Sequence, residues 1–199
     1  MEIFLVAVCS YCLGSIPSGL LLGKSLWNID LREHGSKNIG ATNAYRTLGR
    51  WPAMLIFLAD LAKGIIGVWL GNFLIGTPMA MILGGIMAIA GHSWSIFLGF
   101  KGGKGVATGL GVIAMLLPKV TLIVFGVWCI IVYFTRYVSL ASVVGAALVP
   151  ICTYFLVDDS EYLLFGLIAA IFVIYRHKTN IQRLLNGTET KIKAGESNK

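Results

Sequence analysis

Lysines and glycines are unusually concentrated in FKGGKGVATG, residues 100–109, which lies between apolar stretches of the chain. Lysine is costly in hydrocarbon and glycine weakens a helix, so their combination here indicates a function. A helix N-terminus presents backbone N–H groups to an anion, and glycine lets the anion approach them closely. We therefore predict a phosphate site formed by Lys104 with Gly102, Gly103 and Gly105. The alternative is that the lysines only anchor a loop in anionic headgroups.

A second group of polar residues is HGSKNIGATNAYR, residues 34–46, within a long loop over residues 24–51. Loops that only connect helices are usually short, and this one is too apolar in parts to be a loose linker. Arg46 offers a planar guanidinium that can bind a phosphate through two N–H groups. The alternative is a capped surface helix with solvated charges. The predicted substrate-binding hydroxyl and amide groups of this loop belong to Ser36, Asn38, Thr42 and Asn43.

The third candidate is HKTN, residues 177–180, where the last apolar stretch ends. His177 and Asn180 are one turn apart if the helix continues, so a single ligand could contact both side chains. A histidine that simply lies on the surface is the alternative. Ser142 is a weaker substrate-binding candidate, because small residues in apolar helices also serve helix packing.

Two opposite charges, Asp60 and Lys63, lie three residues apart inside the apolar stretch 52–74. Ionisable residues at membrane depth usually pair with one another or face a cavity. Asp60 and Lys63 either form a structural pair that braces the 24–51 loop or take part in the site, and both alternatives are open. Pro17 is expected to kink the first apolar stretch.

Several familiar catalytic and nucleotide motifs are excluded. A Walker A loop fails because Leu98 stands at the first glycine position and Gly105 follows Lys104. GLGVIA, residues 109–114, follows no strand, so it is not a dinucleotide fingerprint. The acyltransferase pattern His-x4-Asp is missing, since the residues five beyond the three histidines are Ile39, Phe97 and Gln182. The four cysteines lie in apolar stretches and suggest neither zinc nor disulfides, so no metal is expected.

Composition identifies the kind of protein. Of the 199 residues 57% are hydrophobic and 13% charged, which indicates an integral membrane protein with one helical bundle. The net charge of +7 suits an anionic lipid or a phosphorylated substrate as well as nucleic acid, so the placement of the charges must decide.

Apolar stretches predict an all-α polytopic bundle with seven transmembrane helices. The predicted spans are 3–23, 52–74, 78–98, 105–117, 119–135, 138–156 and 161–175. With the N-terminus outside and the C-terminus cytoplasmic, 14 of the 16 basic residues fall on the cytoplasmic side. Merging the fourth and fifth spans would place either the long basic loop or the basic tail outside. The expected organisation is a single catalytic domain over residues 1–185 and a polar, poorly ordered cytoplasmic tail over residues 186–199.

In its polar loops and the helices beside them, the chain resembles the bacterial acyl-phosphate:glycerol-3-phosphate acyltransferase family. The resemblance covers nearly the whole sequence. It rests on several blocks in the right order: GSIPSGLLLGK (14–24), REHGSKNIGATNAYRTLGR (32–50), ADLAKG (59–64), GHSWSIFLGFKGGKGVATGLG (91–111) and SLASVVGAALVP (139–150).

The resemblance implies a reaction of phospholipid biosynthesis. An acyl chain would pass from acyl phosphate to the 1-hydroxyl of sn-glycerol 3-phosphate, giving lysophosphatidate and inorganic phosphate. No cofactor, acyl-CoA, acyl carrier protein or nucleic acid would take part, and the enzyme would lie in the bacterial inner membrane with its active face cytoplasmic. Within this reaction we predict Lys104, Arg46 and His177 as the catalytic residues. The cations and the glycine amides are expected to meet at the inner leaflet and hold phosphorylated molecules beside the bilayer.

Two questions stay open at this point. The proton acceptor is either His177 or an oxygen of the substrate phosphate, whose second pKa is near 6. A transporter of organic phosphates would share the basic loops, but transporters usually carry ionisable groups at the midplane or an inverted repeat. A protein that only packs helices would leave Arg46, Lys104 and the glycines unexplained.

Overall fold

The structure, a computed structural model, describes residues 1–192, and within that range it contains helices and loops but no β-strand. The predicted all-α fold class is confirmed for this part of the chain. Residues 193–199, the end of the predicted tail, lie outside the described residues. The helices are α1 (Glu2–Ser15), α2 (Ser18–Trp27), α3 (Ala41–Leu48), α4 (Arg50–Leu74), α5 (Pro78–Ser93), α6 (Val106–Leu116), α7 (Pro118–Thr135), α8 (Val138–Leu156), α9 (Ser160–Arg176) and α10 (Lys178–Leu185).

Within residues 1–192, five helical segments are long and apolar enough to cross a membrane: Glu2–Trp27, Arg50–Leu74, Pro78–Leu98, Pro118–Thr135 and Val138–Leu156. A sixth exists if α9 and α10, which meet at a bend of 60°, are taken together as one span. Helix α6 has only 11 residues and falls short by length. The structure therefore supports five or six candidate spans, whereas the count of seven and the orientation of the termini stay predictions.

The chain divides into two compact units, Met1–Val112 and Ile113–Ile192. In the first unit α1, α4 and α5 pack against one another. A Cβ atom on Gly84 of α5 would lie 2.0 Å from the carbonyl oxygen of Gly67 in α4, and one on Gly14 of α1 would lie 2.2 Å from that of Ala88 in α5. These helices approach so closely that only glycine fits at the crossing points.

The kink expected at Pro17 is confirmed. Helix α1 ends at Ser15 and α2 begins at Ser18, so the chain leaves the helical conformation at Ile16 and Pro17. Proline lacks the N–H group that a continuous helix would need at this position. The predicted separation of two helices at Pro118 is also confirmed, since α6 ends at Leu116 and α7 begins with this proline.

Residues 28–40, called here the basic loop, are held against α3 and α4 by an apolar cluster. Leu31 of the basic loop packs with Ala44 of α3 and with Ala53 and Ile56 of α4, and all four are buried. Burial of these side chains explains why a stretch rich in polar residues is folded rather than a loose linker.

In the second unit α7 packs on α8 and α8 on α9, while α10 contacts both α8 and α9. The residues that follow α10 turn back onto this unit. Glu189 is buried, and the backbone N–H of Ile192 donates to the carbonyl oxygen of Arg136 at 2.8 Å. The expectation of a poorly ordered tail is therefore wrong for residues 186–192, because a buried carboxylate ties them to the helices.

Candidate functional site

The glycine-rich stretch is a tightly bonded connection between α5 and α6. After α5 the chain makes a short 3-10 helix, Ile96–Leu98, and then runs without regular structure to α6. The N–H of Gly102 donates to the carbonyl oxygen of Ser93 and that of Gly103 to the carbonyl oxygen of His92, both at 3.1 Å. These two amides are thus bonded within the protein, and the substrate-binding role of the two glycines stays a prediction.

The structure gives another reason for these glycines. A Cβ on Gly102 would lie 2.1 Å from the carbonyl oxygen of His92, and one on Gly103 would lie 2.2 Å from Nε2 of the same histidine. Gly105 has a φ of +79°, a conformation that side chains disfavour. The glycines therefore let the loop lie against α5 and turn into α6, and Lys104, half-buried between them, is held by a well-fixed backbone.

Asn43 organises the basic loop. Its side-chain N–H2 group lies within 3.0 Å of the carbonyl oxygens of Leu31, His34 and Asn38, and its Oδ1 accepts from the N–H of Ser36 at 2.8 Å. The residue is 1% exposed. Because its amide is already engaged in these bonds, the geometry supports a positioning role for Asn43, and the direct substrate contact stays a prediction.

The other predicted residues of this region are more accessible. Asn38 uses Oδ1 to accept from the N–H of Gly40 at 2.9 Å, which shapes the turn into α3. Ser36 is exposed, and Thr42 is partly exposed in the first turn of α3. Arg46 lies one turn further along α3 and is also partly exposed, so Thr42 and Arg46 share a helix face.

Asp30 is a residue that sequence reasoning missed. Its carboxylate lies 2.7 Å from Nη2 of Arg32 and 3.0 Å from Nζ of Lys24. The hydrogen bonds from the Arg32 side chain hold the pKa of Asp30 well below its usual range, against the opposing effect of burial. Asp30 thus anchors the start of the basic loop to α2. An acid between two cations, Lys24 and Arg32, was the available signal.

In the second unit His177 lies at the bend between α9 and α10 and is 2% exposed. Its Nδ1 lies 2.8 Å from the carbonyl oxygen of Val173. A carbonyl oxygen only accepts, so Nδ1 carries a proton, and in the neutral ring Nε2 is the nitrogen that can accept one. The helix does not continue straight through this point, and Asn180 follows in the first turn of α10.

A buried carboxylate, also missed from sequence, holds Asn180. Glu189 Oε1 accepts from Asn180 Nδ2 and from Ser139 Oγ, both at 2.7 Å, while Oε2 pairs with Arg183 Nε at 2.7 Å. Burial raises the pKa of Glu189, but the bonds from Arg183, Ser139 and Asn180 outweigh it and the net shift is downward. Asn180 is therefore fixed by an ionised partner.

Ser142 has a role in packing. Its hydroxyl donates to the carbonyl oxygen of Val138 at 2.8 Å and lies 3.4 Å from Trp128 Nε1 of α7. These contacts join α7 to α8, so the structure favours the helix-packing interpretation of Ser142 over direct substrate binding.

Comparisons with known proteins agree with one another. A family model described as glycerol-3-phosphate acyltransferase matches residues 4–187. A glycerol-3-phosphate acyltransferase from Fusobacterium nucleatum is 46% identical over 193 residues, covering 97% of this chain and all of the relative. One from Gloeobacter violaceus is 47% identical over 187 residues, covering 92% of this chain and 91% of the relative.

Two crystal structures of one relative are also similar to this chain. They are described as PlsY (YgiH), an integral membrane glycerol 3-phosphate acyltransferase, in a glycerol 3-phosphate form and a lysophosphatidic acid form. The first is 36% identical with a TM-score of 0.91 and covers 97% of this chain and 96% of its own. The second is 35% identical with a TM-score of 0.89, and the match covers 96% of this chain and 95% of its own.

Proposed function

This chain belongs to the glycerol-3-phosphate acyltransferase family of integral membrane enzymes, and on that premise we propose that it uses acyl phosphate as the acyl donor. The 1-hydroxyl oxygen of sn-glycerol 3-phosphate forms a bond to the acyl carbonyl carbon, and the bond from that carbon to the phosphate oxygen breaks. The products are lysophosphatidate and inorganic phosphate. The observation that carries the proposal is the match over nearly the whole chain, including a relative described in substrate and product forms.

Electrostatics support this choice of substrates, because both carry phosphate. Arg46 on α3 and Lys104 before α6 bind the phosphate groups, and Lys104 also stabilises the negative charge that develops on the carbonyl oxygen. Ser36 and Thr42 add hydroxyl groups. Four further residues set the backbone around these groups: Asn38, Asn43, Gly102 and Gly103. Gly105 supplies the turn into α6.

His177 and Asn180 orient the glycerol hydroxyls, each held by a bond within the second unit. Ser142 supports them only indirectly, through the packing of α7 on α8. The hydroxyl proton passes to an oxygen of a substrate phosphate, whose second pKa near 6 suits an acceptor at neutral pH. The rival acceptor is His177 Nε2, which the bond to Val173 leaves as the basic nitrogen of the neutral ring. Holding the reactants together supplies up to about 7–11 kcal/mol of the barrier in well-oriented cases.

We also propose that the enzyme lies in the bacterial inner membrane as one catalytic domain over residues 1–185, with α6 as the short fourth of seven spans and residues 186–199 cytoplasmic. The distribution of basic residues supports this orientation, since it places both the 24–51 loop with its five basic residues and the C-terminal lysines on the cytoplasmic side. The substrates then reach the active face from the cytoplasm and from the inner leaflet.

The decisive experiment supplies purified protein with labelled glycerol 3-phosphate and synthetic acyl phosphate. Lysophosphatidate and inorganic phosphate should appear in equal amounts, and acyl-CoA or acylated carrier protein should not replace the donor. Lys104→Ala and Arg46→Ala should each lower the rate at least about 100-fold. Lys101→Ala, an exposed lysine of the same loop, should leave it near that of the wild type. Uptake of glycerol 3-phosphate into sealed liposomes without lysophosphatidate would instead indicate a transporter.

The proton acceptor needs a separate measurement, the rate of His177→Gln across pH. If a phosphate oxygen accepts the proton, the variant keeps the pH profile of the wild type while its rate falls through poorer orientation. Loss of turnover together with loss of the basic limb of the profile, at unchanged affinity for glycerol 3-phosphate, would assign the proton to the histidine.

A further inference from the structure

Three ionisable side chains that have no role in the function proposed above form a buried cluster inside the first unit. Asp60 and Lys63 belong to α4 and His92 to α5, and they are 3%, 5% and 5% exposed. Lys63 Nζ lies 2.8 Å from Asp60 Oδ1, and His92 Nδ1 lies 3.5 Å from the same oxygen. The Asp60 carboxylate thus lies between an ammonium group and an imidazole ring.

Each end of the cluster contacts a segment without regular helical structure. Lys63 Nζ also donates to the carbonyl oxygen of Ile16, in the break between α1 and α2. At the other end the carbonyl oxygen of His92 accepts from the N–H of Gly103. The imidazole of His92 lies so close to Gly103 that a Cβ there would be 2.2 Å from Nε2. Backbone and ring of His92 therefore fix the residue that precedes Lys104.

Burying an ionic cluster costs desolvation free energy that apolar side chains would not cost. Replacing a buried ion pair by apolar residues of similar volume is often neutral or stabilising, whereas removing one partner leaves an uncompensated charge. Stability alone therefore does not explain why α4 and α5 carry these side chains. Their contacts run from the helix break to the glycine loop, which indicates a role in geometry.

We propose that Asp60, Lys63 and His92 are positioning residues, which lock the Gly103–Lys104 backbone to the break between α1 and α2 so that Lys104 is held ready for phosphate. This inference rests on the proposed function, since it assumes that Lys104 binds a substrate phosphate. None of the three touches substrate; they act through the loop.

The contact between His92 and Gly103 allows a test by compensation. Gly103→Ala should raise the KM for glycerol 3-phosphate at least 10-fold, because the three atoms nearest its Cβ all belong to the His92 ring. Adding His92→Ala makes room and should recover part of that loss. Gly102→Ala is the matched control, since its Cβ meets backbone atoms of His92 and Ser93, and truncation of a side chain cannot relieve it. Equal effects of His92→Ala on both glycine variants would overturn the proposal.

The charges are tested by Asp60→Asn and by Asp60→Asn combined with Lys63→Met. The single change should raise the KM for glycerol 3-phosphate about 10-fold or more in folded enzyme, and the double change should do less harm to stability than the single change while the KM stays raised. Asp158→Asn, an exposed acid, is the control.

If the cluster variants unfold more easily but keep the KM and kcat of the wild type, the cluster has a purely structural role and the inference is overturned. Failure of every cluster variant to fold would do the same. Wild-type enzyme that makes no lysophosphatidate would instead refute the proposed function, and with it the premise of this inference.

Discussion

Asn43 shows at the scale of one residue how a polar side chain in a candidate site can serve the protein itself. Its amide group bonds three carbonyl oxygens of the basic loop. Asn43→Asp keeps the shape but replaces these donors by a carboxylate oxygen that faces the carbonyls. We expect the free energy of unfolding to fall by about 1–3 kcal/mol, with a lower acyltransferase rate. Thermal unfolding in detergent should show this loss, whereas Asn28→Asp, an exposed residue of the same loop, should change little.

Glu189 gives a prediction with a defined pH dependence. Its pKa is lower in the folded protein than in the unfolded chain, so its ionised form stabilises the fold above the unfolded pKa, and this stability is lost as pH falls through the folded value. Glu189→Gln should lower the free energy of unfolding by about 1.5–3 kcal/mol at pH 7, because bonds to a charged group are lost.

The difference between wild type and Glu189→Gln should shrink when thermal unfolding is repeated below pH 4. Glu33→Gln, an exposed acid, is the control and should show no comparable difference at either pH. A difference that is as large below pH 4 as at pH 7 would mean that the ionisation of Glu189 does not stabilise the fold.

The residue types were more predictable than their roles. Arg46, Lys104 and His177 stand out because cations and histidine are rare in such an apolar chain, and the structure places each at the end of a helix or beside it. The roles of Asn43 and Ser142 could not be read from the sequence, since an amide or hydroxyl bonds equally well to backbone and to ligand. Glu189 was missed because a polar tail gives no sign of folding back.

At the scale of the helices, close packing of α4 on α5 depends on glycine. A Cβ on Gly84 would overlap the carbonyl oxygen of Gly67, and backbone atoms cannot move aside as a side chain can. Gly84→Ala should therefore separate the two helices and lower the free energy of unfolding by about 1–3 kcal/mol. Gly126→Ala in α7 is the matched control, because no atom lies within 4 Å of its added methyl group. Equal unfolding temperatures for the two variants would contradict this account.

Helix ends at prolines could be predicted from the sequence, whereas the bend between α9 and α10 could not. Prolines mark the break at Pro17 and the start of α7 at Pro118, and both were predictable because proline cannot donate a helical hydrogen bond. The bend of 60° at His177 has no such signal, because no proline or glycine stands there; beyond it α10 contacts α8 and α9.

At the scale of the whole molecule, the open question is whether α6 crosses the membrane. Its 11 residues span roughly 16 Å, about half of a typical hydrocarbon core. By length alone it is not a span, but the charge distribution predicts that it crosses, because otherwise either the 24–51 loop with its five basic residues or the basic C-terminal segment would lie outside.

Single-cysteine variants test whether α6 crosses the membrane. They are made in a chain whose four native cysteines are replaced by alanine. Lys101→Cys before α6 and Lys119→Cys after it are both exposed positions. We expect a membrane-impermeant thiol reagent to label Lys119→Cys in intact spheroplasts and Lys101→Cys only after permeabilisation. Asp158→Cys should be labelled in intact spheroplasts, like Lys119→Cys. Gln182→Cys should be labelled only after permeabilisation, like Lys101→Cys. Labelling of positions 101 and 119 from the same side would show that α6 re-enters rather than crosses. The basic residues on one side of it would then face away from the cytoplasm, where the proposed substrates are found.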